Sequence, residues 1–526
     1  MSQSNYPGDT ARTQPDKPAI VIADTGRVLT YGELDRNSAA LARVLVDAGL
    51  RAGDTVALLT TNTPEALEVY WGTRRAGLYI TAVNRHLTAD EVAYIVTDSG
   101  ARALIVSADL SDLALQVNMQ IDTPALQLAF GGGVDGFGSY EQALAAAGEP
   151  LTDQPCGAMM LYSSGTTGFP KGIKPPLPNR QVDEPGEPLY LLLDRFFGLG
   201  SDDVYLSTAP IYHAAPLGWT AGLLAVGATV VIASRFEAEE TLGYIEKYRI
   251  TATQMVPTMF VRLLKLTDEQ RARHDVSSLR VLVHAAAPCP VDVKRAMIDW
   301  LGPILFEYYS ATEANGLTFI TSEQWLAKPG SVGRAVMGIV HICDDDGHEI
   351  PSGATGTIYF ERDVLPFEYH RDPEKTAQAQ HPDHPTWTTV GDVGYLDDDG
   401  SLFLTDRKTF MIISGGVNIY PQEVEDVLTL HPKVFDVAVI GVPDPEMGQQ
   451  VKAVVILEPG VSADDATADE LIAHARERVA HYKAPKSVDF VDSLPRTPTG
   501  KLQKKRLQET YARAHTASDV SISTTP

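Results

Sequence analysis

A chain of 526 residues, 44% of them hydrophobic, is too long for one hydrophobic core and rich enough in apolar side chains to build two. Lys and Arg total 43 against 68 Asp and Glu, a formal charge of −25 with no basic block, which excludes a binder that works by neutralising nucleic-acid phosphates. The three widely spaced cysteines (Cys156, Cys289, Cys343) fit neither a disulfide framework nor a zinc site, and no apolar run reaches membrane-spanning length, so a soluble, cytoplasmic protein with no transmembrane segment is expected.

The first eighteen residues are polar and contain no apolar leader-like core, which fits a protein that is not exported. Residues 18–24, PAIVIAD, then read as a strand. In residues 30–49, Thr30 and Glu33 have capping-box spacing ahead of an amphipathic run, which predicts a helix. Apolar runs rich in β-branched residues at 54–62, 101–106, 227–233, 251–257 and 279–285 predict further strands, separated by helical patterns such as 238–248. This alternation implies an α/β fold with a large, multi-layer N-terminal domain and mostly parallel sheets. Residues 174–189, KPPLPNRQVDEPGEPL, are proline-rich and predict a rigid surface connection. Near 406 the character changes. Strands at 434–442 and 450–458 joined by residues 443–449, a helix within 466–482 and a strand at 487–491 make a small α+β C-terminal domain. The expected domains are 1–405 and 406–526, with residues 517–526 disordered for want of any apolar pattern.

Residues 161–173, LYSSGTTGFPKGI, read as a phosphate loop. Gly165, Gly168 and Gly172 let the backbone come close and turn its N–H groups inward. Ser163, Ser164, Thr166 and Thr167 add hydroxyl donors, and Lys171 adds a positive charge. The pattern is not a Walker A loop, because Pro170 precedes the lysine and Gly172 follows it.

This loop resembles the signature of the acyl-adenylate-forming superfamily, which contains acyl-CoA synthetases, carrier-protein adenylation domains and luciferases. Five further stretches are similar to that family's motifs in the same order: PIYH at 210–213, EYYSATEANG at 307–316, TVGDVGYLDDDG at 389–400, DRKTFMIISGGVNIYPQEVE at 406–425 and PRTPTGK at 495–501. The resemblance extends from about residue 6 to about residue 510, and it implies ATP, Mg²⁺ and CoA as cofactor and cosubstrates. It implies that Ser163, Ser164, Gly165, Thr166, Thr167, Gly168 and Lys171 hold phosphate. It further implies that Tyr309, beside Ser310, stacks on adenine, and that Asp392 and Arg407 hold the ribose. Glu313 matches the magnesium ligand, Thr312 the α-phosphate contact, and Lys501 the cation bridging carboxylate and α-phosphate. His213 matches a residue at the edge of the acyl pocket, with Trp219 and Gly222 shaping it. Gly415 and Gly416 suit the passage of a pantetheine arm, and Thr409 matches the interdomain hinge. The chain departs from the family pattern at Thr409, where many relatives have Lys or Asp, at Ala285 in HAAAP, where relatives commonly have glycine, and in the proline-rich residues 174–189, where relatives more often carry a Ser/Thr-His or Asn element.

Joining a carboxylate to the α-phosphate of ATP brings two anions together, which requires positioned cations and donors. The implied reaction is an acid–CoA ligation: acyl-AMP and pyrophosphate form first, then CoA displaces AMP. The stretch after Ala209, PIYHAAPLGW, is apolar and aromatic and offers no carboxylate for an amine, which favours a fatty or aryl acid over an amino acid. Loading of an acyl carrier protein and a catalytically silent nucleotide binder are the competing readings. The partners expected are small molecules and no nucleic acid, and a homodimer is compatible with this reading.

Overall fold

The computed structural model describes residues 6–163, 170–407, 410–415, 417–444, 446–496 and 502–511, with the backbone alone at 163, 188, 191, 406 and 407. The chain divides into two compact units, one comprising Met1–Met255, Thr267–Leu282 and Pro366–Ala377, the other Val256–Leu266, Val283–Leu365 and Gln378–Pro526. Residues 517–526 lie outside the described residues.

The first unit has the expected parallel character. Its six-stranded sheet runs in the order Gly138–Ser139, Leu126–Phe130, Ala101–Ser107, Thr55–Leu59, Tyr79–Val83, Ala158–Met159, and every pairing is parallel. The two central strands Thr55–Leu59 and Tyr79–Val83 are buried along their whole length, which is why they read as continuous apolar runs rather than alternating ones. Val92 and Val96 of the helix Ala89–Asp98 close one face over Leu59, Leu104 and Val106. Three more parallel strands, Thr229–Ile232 between Pro18–Ile22 and Val204–Ser207, build a second sheet, extended by Ala252–Met255. The helix Tyr31–Asp47 begins at Thr30, whose side chain accepts from the Glu33 N–H while Glu33 reaches back to the Thr30 N–H, so the capping box read from sequence is formed.

The proline-rich connection after Lys174 is pinned to this unit. Cys156 N–H donates to Arg180 O and Val182 N–H to Gln154 O, each at 2.9 Å, and Glu187 accepts from buried Arg74 at 2.7 Å and from Arg180 at 3.1 Å.

The second unit contributes a ladder that the strand pattern did not foretell. Between residues 305 and 407 these strands pair antiparallel: Leu305–Ser310, Leu317–Thr321, Ser331–Met337, Leu402–Arg407, Asp392–Leu396, Gly356–Glu361 and Ile339–Cys343, in that spatial order. The C-terminal α+β element is as expected. Val434–Asp444 and Gly448–Leu457 form a long antiparallel pair, and Ser487–Phe490 joins in parallel. The helices Pro421–Thr429 and Asp465–Arg476 bury Val424, Leu428, Leu471 and Ala475 on it.

The capping box gives a direct test. Thr30→Ala leaves the Glu33 N–H without its side-chain acceptor and should cost about 1 kcal/mol, lowering the first thermal transition by about 2 °C. Differential scanning calorimetry should show that loss, and an unchanged midpoint would mean the cap contributes nothing.

Candidate active site

The phosphate-loop candidate connects two strands of a hairpin. Leu161–Ser163 and Lys171–Lys174 are antiparallel, with Ser163 opposite Lys171 and Tyr162 opposite Gly172. Ser164, Gly165, Thr166, Thr167 and Gly168 lie outside the described residues, as does the side chain of Ser163. Gly172 is needed where it is. A Cβ there would stand 3.0 Å from both Met160 Cε and Tyr162 Cζ, and 3.1 Å from His370 Cβ. Tyr162 donates to Asp98 Oδ2 at 2.6 Å, with its pKa raised by burial and by that carboxylate, so the phenol stays a donor at neutral pH. Lys171 Nζ sits 5.2 Å from the centroid of the Tyr369 ring, an aromatic face that holds the cation.

His213 is the residue preceding the helix Ala214–Ala225, in extended backbone conformation, with its ring 4.4 Å from that of Tyr212. The two residues expected to shape an acyl pocket beyond it are both buried. Trp219 is almost fully buried between Phe197 at 5.2 Å and Tyr205 at 6.2 Å. Gly222 faces the helix Pro188–Phe197, where a Cβ would come within 3.0 Å of Leu193 and 3.4 Å of Tyr190. Both lie in the interior stretch of the helix Ala214–Ala225, which is apolar all round and buried from Pro216 to Ala225.

In the second unit several of the sequence-predicted residues converge. Tyr309 donates its hydroxyl to Asp392 Oδ2 at 2.7 Å, and Asp392 lies opposite Arg407 in the antiparallel ladder. The side chain of Arg407 lies outside the described residues, as do Thr409, Gly416 and Lys501. Ser310 Oγ donates to Gly316 O at 2.7 Å and closes the turn that carries Thr312 and Glu313. Ala314 takes a positive φ of 50° in that turn. Asn315 Nδ2 donates to Thr388 O at 3.3 Å, and Arg362 donates to Ala314 O at 3.2 Å. Gly316 lies flat on Phe360: a Cβ would fall 1.9 Å from a ring carbon, so no other residue fits. The turn is thus tied on both sides while Thr312 is exposed and Glu313 is half-buried.

This donor set suits a magnesium nucleotide. One accessible carboxylate is a normal protein contribution to Mg²⁺, and an aromatic ring joined to a carboxylate by hydrogen bond suits a base and a ribose. Gly415 has a φ of 58° and donates its N–H to Met447 O at 2.9 Å, so the glycine is demanded by the turn itself.

Sequence reasoning missed a buried polar set. Lys294, on the helix Val291–Leu301, places Nζ 2.5 Å from Glu307 Oε2, and His284, the last residue of the strand Val281–His284, stands 3.6 Å from the same oxygen. All three are almost entirely buried. The signal was there: Lys294 is buried on its helix with Val293, Met297 and Ile298, and Glu307 interrupts an apolar strand. Burial raises the Glu307 pKa against the opposing pull of Lys294. Burial, and then the Lys294 charge, hold His284 well below the ordinary imidazole range.

The family model described as AMP-binding enzyme matches residues 8–366, and the one described as AMP-binding enzyme C-terminal domain matches residues 423–501. The chain belongs to the AMP-binding enzyme family. It is 35% identical to a feruloyl-CoA synthase of an Amycolatopsis species, covering 96% of this chain and 98% of that protein. It is 30% identical to a long-chain-fatty-acid–CoA ligase of Mycobacterium tuberculosis, covering 95% and 97%. The crystal structure of ATP-bound MatB from Rhodopseudomonas palustris superposes with a TM-score of 0.78 at 30% identity, covering 96% of this chain and 99% of that one. The AMP-binding enzyme described here is accordingly an AMP-forming acid–thiol ligase that uses ATP and CoA. Among the described residues, no helix is long and apolar enough to cross a membrane.

The depressed His284 pKa has a sign that can be checked. The unfolded chain takes up a proton at this residue below about pH 6.5, whereas the folded chain does not, so stability falls as pH falls through that value. The contribution is about 1.4 kcal/mol per pH unit until the folded pKa is reached. The drop in thermal midpoint between pH 7 and pH 5 should therefore be smaller in His284→Ala than in the wild type; equal drops would show that the imidazole is not held neutral.

Proposed function

We propose that this enzyme activates an apolar carboxylic acid, aliphatic or aryl, as its acyl-adenylate and passes the acyl group to CoA, with the residues singled out above as its machinery. The observation that carries the reading is the pinned turn from Ser310 to Gly316, which presents Thr312 and Glu313 beside the hydrogen-bonded pair Tyr309 and Asp392. Relatives named for feruloyl-CoA and for long-chain fatty acids support both an aryl and an aliphatic acid, and the apolar segment after Ala209 supports a site without an anchor for an amine.

In the first step an oxygen of the acid attacks the α-phosphorus and the bond to the β-phosphate oxygen breaks, so pyrophosphate leaves. Negative charge grows on the phosphoryl oxygens, and Thr312, Lys171 and Lys501 supply a hydroxyl and two cations to meet it. Mg²⁺ bound at Glu313 would neutralise phosphate charge in the same step. Tyr309 and Asp392 position the nucleoside, with Ser310 fixing the turn; proximity of this kind replaces lost encounter entropy. In the second step the thiolate sulfur of CoA attacks the carbonyl carbon and AMP leaves. Residues 406–526, with Thr409 as hinge, Gly415 and Gly416 at the thiol passage and Lys501 near the end, act as the moving domain; His213 borders the acid. A cytoplasmic location suits this use of ATP and CoA.

Two variants test the assignment. Lys501→Ala should slow pyrophosphate release by on the order of 10²–10³ while thioester formation from supplied acyl-AMP persists. Equal losses in the two half-reactions would remove Lys501 from the first step. Tyr309→Phe keeps the ring and deletes the donor to Asp392, and should raise KM for ATP roughly tenfold with kcat little changed. Steady-state kinetics read this, and an unaltered KM would show that the Tyr309–Asp392 bond does not orient the nucleotide. A panel of straight-chain, branched and aryl acids, scored by pyrophosphate release, tests the acid class.

A further inference from the structure

Residues 497–501, which end in Lys501, lie outside the described residues, and the chain is held firmly on both sides of them. Arg496 and Leu502 pair as an antiparallel bridge, and Gln503 N–H donates to Pro495 O at 2.7 Å. The loop thus starts and finishes on Cα atoms about 5 Å apart. Leu494, Leu502 and Leu507 join Ala438 and Ile440 of the strand Val434–Asp444 in one apolar cluster, which seats the base of the loop on that strand.

Two charged contacts brace this base. Arg496 sets its guanidinium fork on Asp436, Nε to Oδ2 and Nη2 to Oδ1, both at 2.6 Å. Two parallel charge-assisted bonds fix direction as well as distance, which a point charge such as an ammonium does not. The strand is irregular just where it supplies this carboxylate: Val434 pairs with Leu457 and Asp436 with Ile456, so Phe435 is an extra residue. A bulge of that kind re-aims the neighbouring side chain. On the other side of the loop Lys504, almost fully buried, stands 3.0 Å from Glu425 Oε1, and that oxygen accepts the Val439 N–H at 2.7 Å. Both ends are therefore tied to one strand, directly at Asp436 and through Glu425 at Val439. Loops are the more mobile parts of a fold, and a functional side chain on one depends on a rigid base.

We infer that Arg496 and Lys504 are positioning residues for the first half-reaction: they hold the base of the loop so that the Lys501 ammonium meets the charge that grows at the α-phosphate. The inference rests on the assignment of Lys501 to that step. Neighbouring Cα atoms are about 3.8 Å apart, so a shift at Leu502 is passed on to Lys501. A misplacement of about 1 Å at a reacting centre can cost roughly 10²-fold. Loosening the brace should therefore cost less than removing the lysine, and the thiol step, which does not use Lys501, should not feel it.

The test uses the full-length enzyme with Mg·ATP, CoA and an acid chosen from the panel above, and it reads pyrophosphate release and, separately, thioester formation from supplied acyl-AMP. Arg496→Gln should slow pyrophosphate release by on the order of tenfold and leave the thioester step unchanged. Arg496→Lys, which keeps the charge and loses the fork, should fall between that variant and the wild type. In a Lys501→Ala background Arg496→Gln should cost nothing further, because groups that act as one unit are not additive. Equal losses in the two half-reactions, the same fold-loss again on top of Lys501→Ala, or wild-type rates would overturn the inference and make Arg496 a structural residue. If Lys501→Ala alone slows both half-reactions equally, the assignment of Lys501 falls, and this inference with it. Where Arg496→Gln does not fold, Arg496→Lys and Lys504→Gln, each with and without Lys501→Ala, decide by the same comparison.

Discussion

Lys294 and Glu307 meet at 2.5 Å with almost no exposed surface, and the strand they fix bears much of the candidate site. Taking two opposite charges out of water costs several kcal/mol each, which only close contact repays, and removing one partner leaves a buried charge costing about 3–5 kcal/mol. The pair therefore tolerates little displacement. It locks the helix Val291–Leu301 to the strand Leu305–Ser310, with the Trp325 ring 5.0 Å from the ammonium. Because side chains alternate along a strand, fixing Glu307 inward also fixes the face of Tyr309. A slip of one residue would turn both to the other side.

From that strand the remaining geometry follows by hydrogen bonding. Ser310 closes the next turn on Gly316, Phe360 lies against the glycine, and the turn can only project Thr312 and Glu313 outward. Antiparallel pairing sets Asp392 against Arg407, and the Tyr309 hydroxyl then reaches across to the Asp392 carboxylate. In the first unit the hairpin of Leu161–Ser163 and Lys171–Lys174 does the equivalent task, with Lys171 steadied on Tyr369. Each unit thus holds its own share of the motifs on paired strands, which position side chains more tightly than loops do.

Much of this was legible in the chain. The helix at 238–248 occupies those residues, the capping box at Thr30 is formed, and the strands at 434–444 and 448–457 fall where their apolar runs lie. Parallel strands are covered on both faces and announce themselves as continuous Val, Ile and Leu. The antiparallel ladder after residue 305 did not, because strands such as Ser331–Met337 are buried only at one end and show neither a run nor a clean alternation. For Trp219 and Gly222 the chain was less informative: an apolar helix buried on every side gives no sign of which face meets a ligand and which meets the helix Pro188–Phe197. Lys294 escaped notice because its partner is thirteen residues away and a lysine reads as solvated unless its helix face is drawn.

A chain with a formal charge of −25 must nevertheless hold nucleotide phosphates, and the length scale of screening explains how. At physiological ionic strength charges more than about 8 Å apart on the surface hardly interact, so the acidic excess spread over 526 residues weighs little at any one point. What counts is the shell within contact distance. There a few donors and cations decide, because in a medium of lower dielectric than water each is worth several times its surface value.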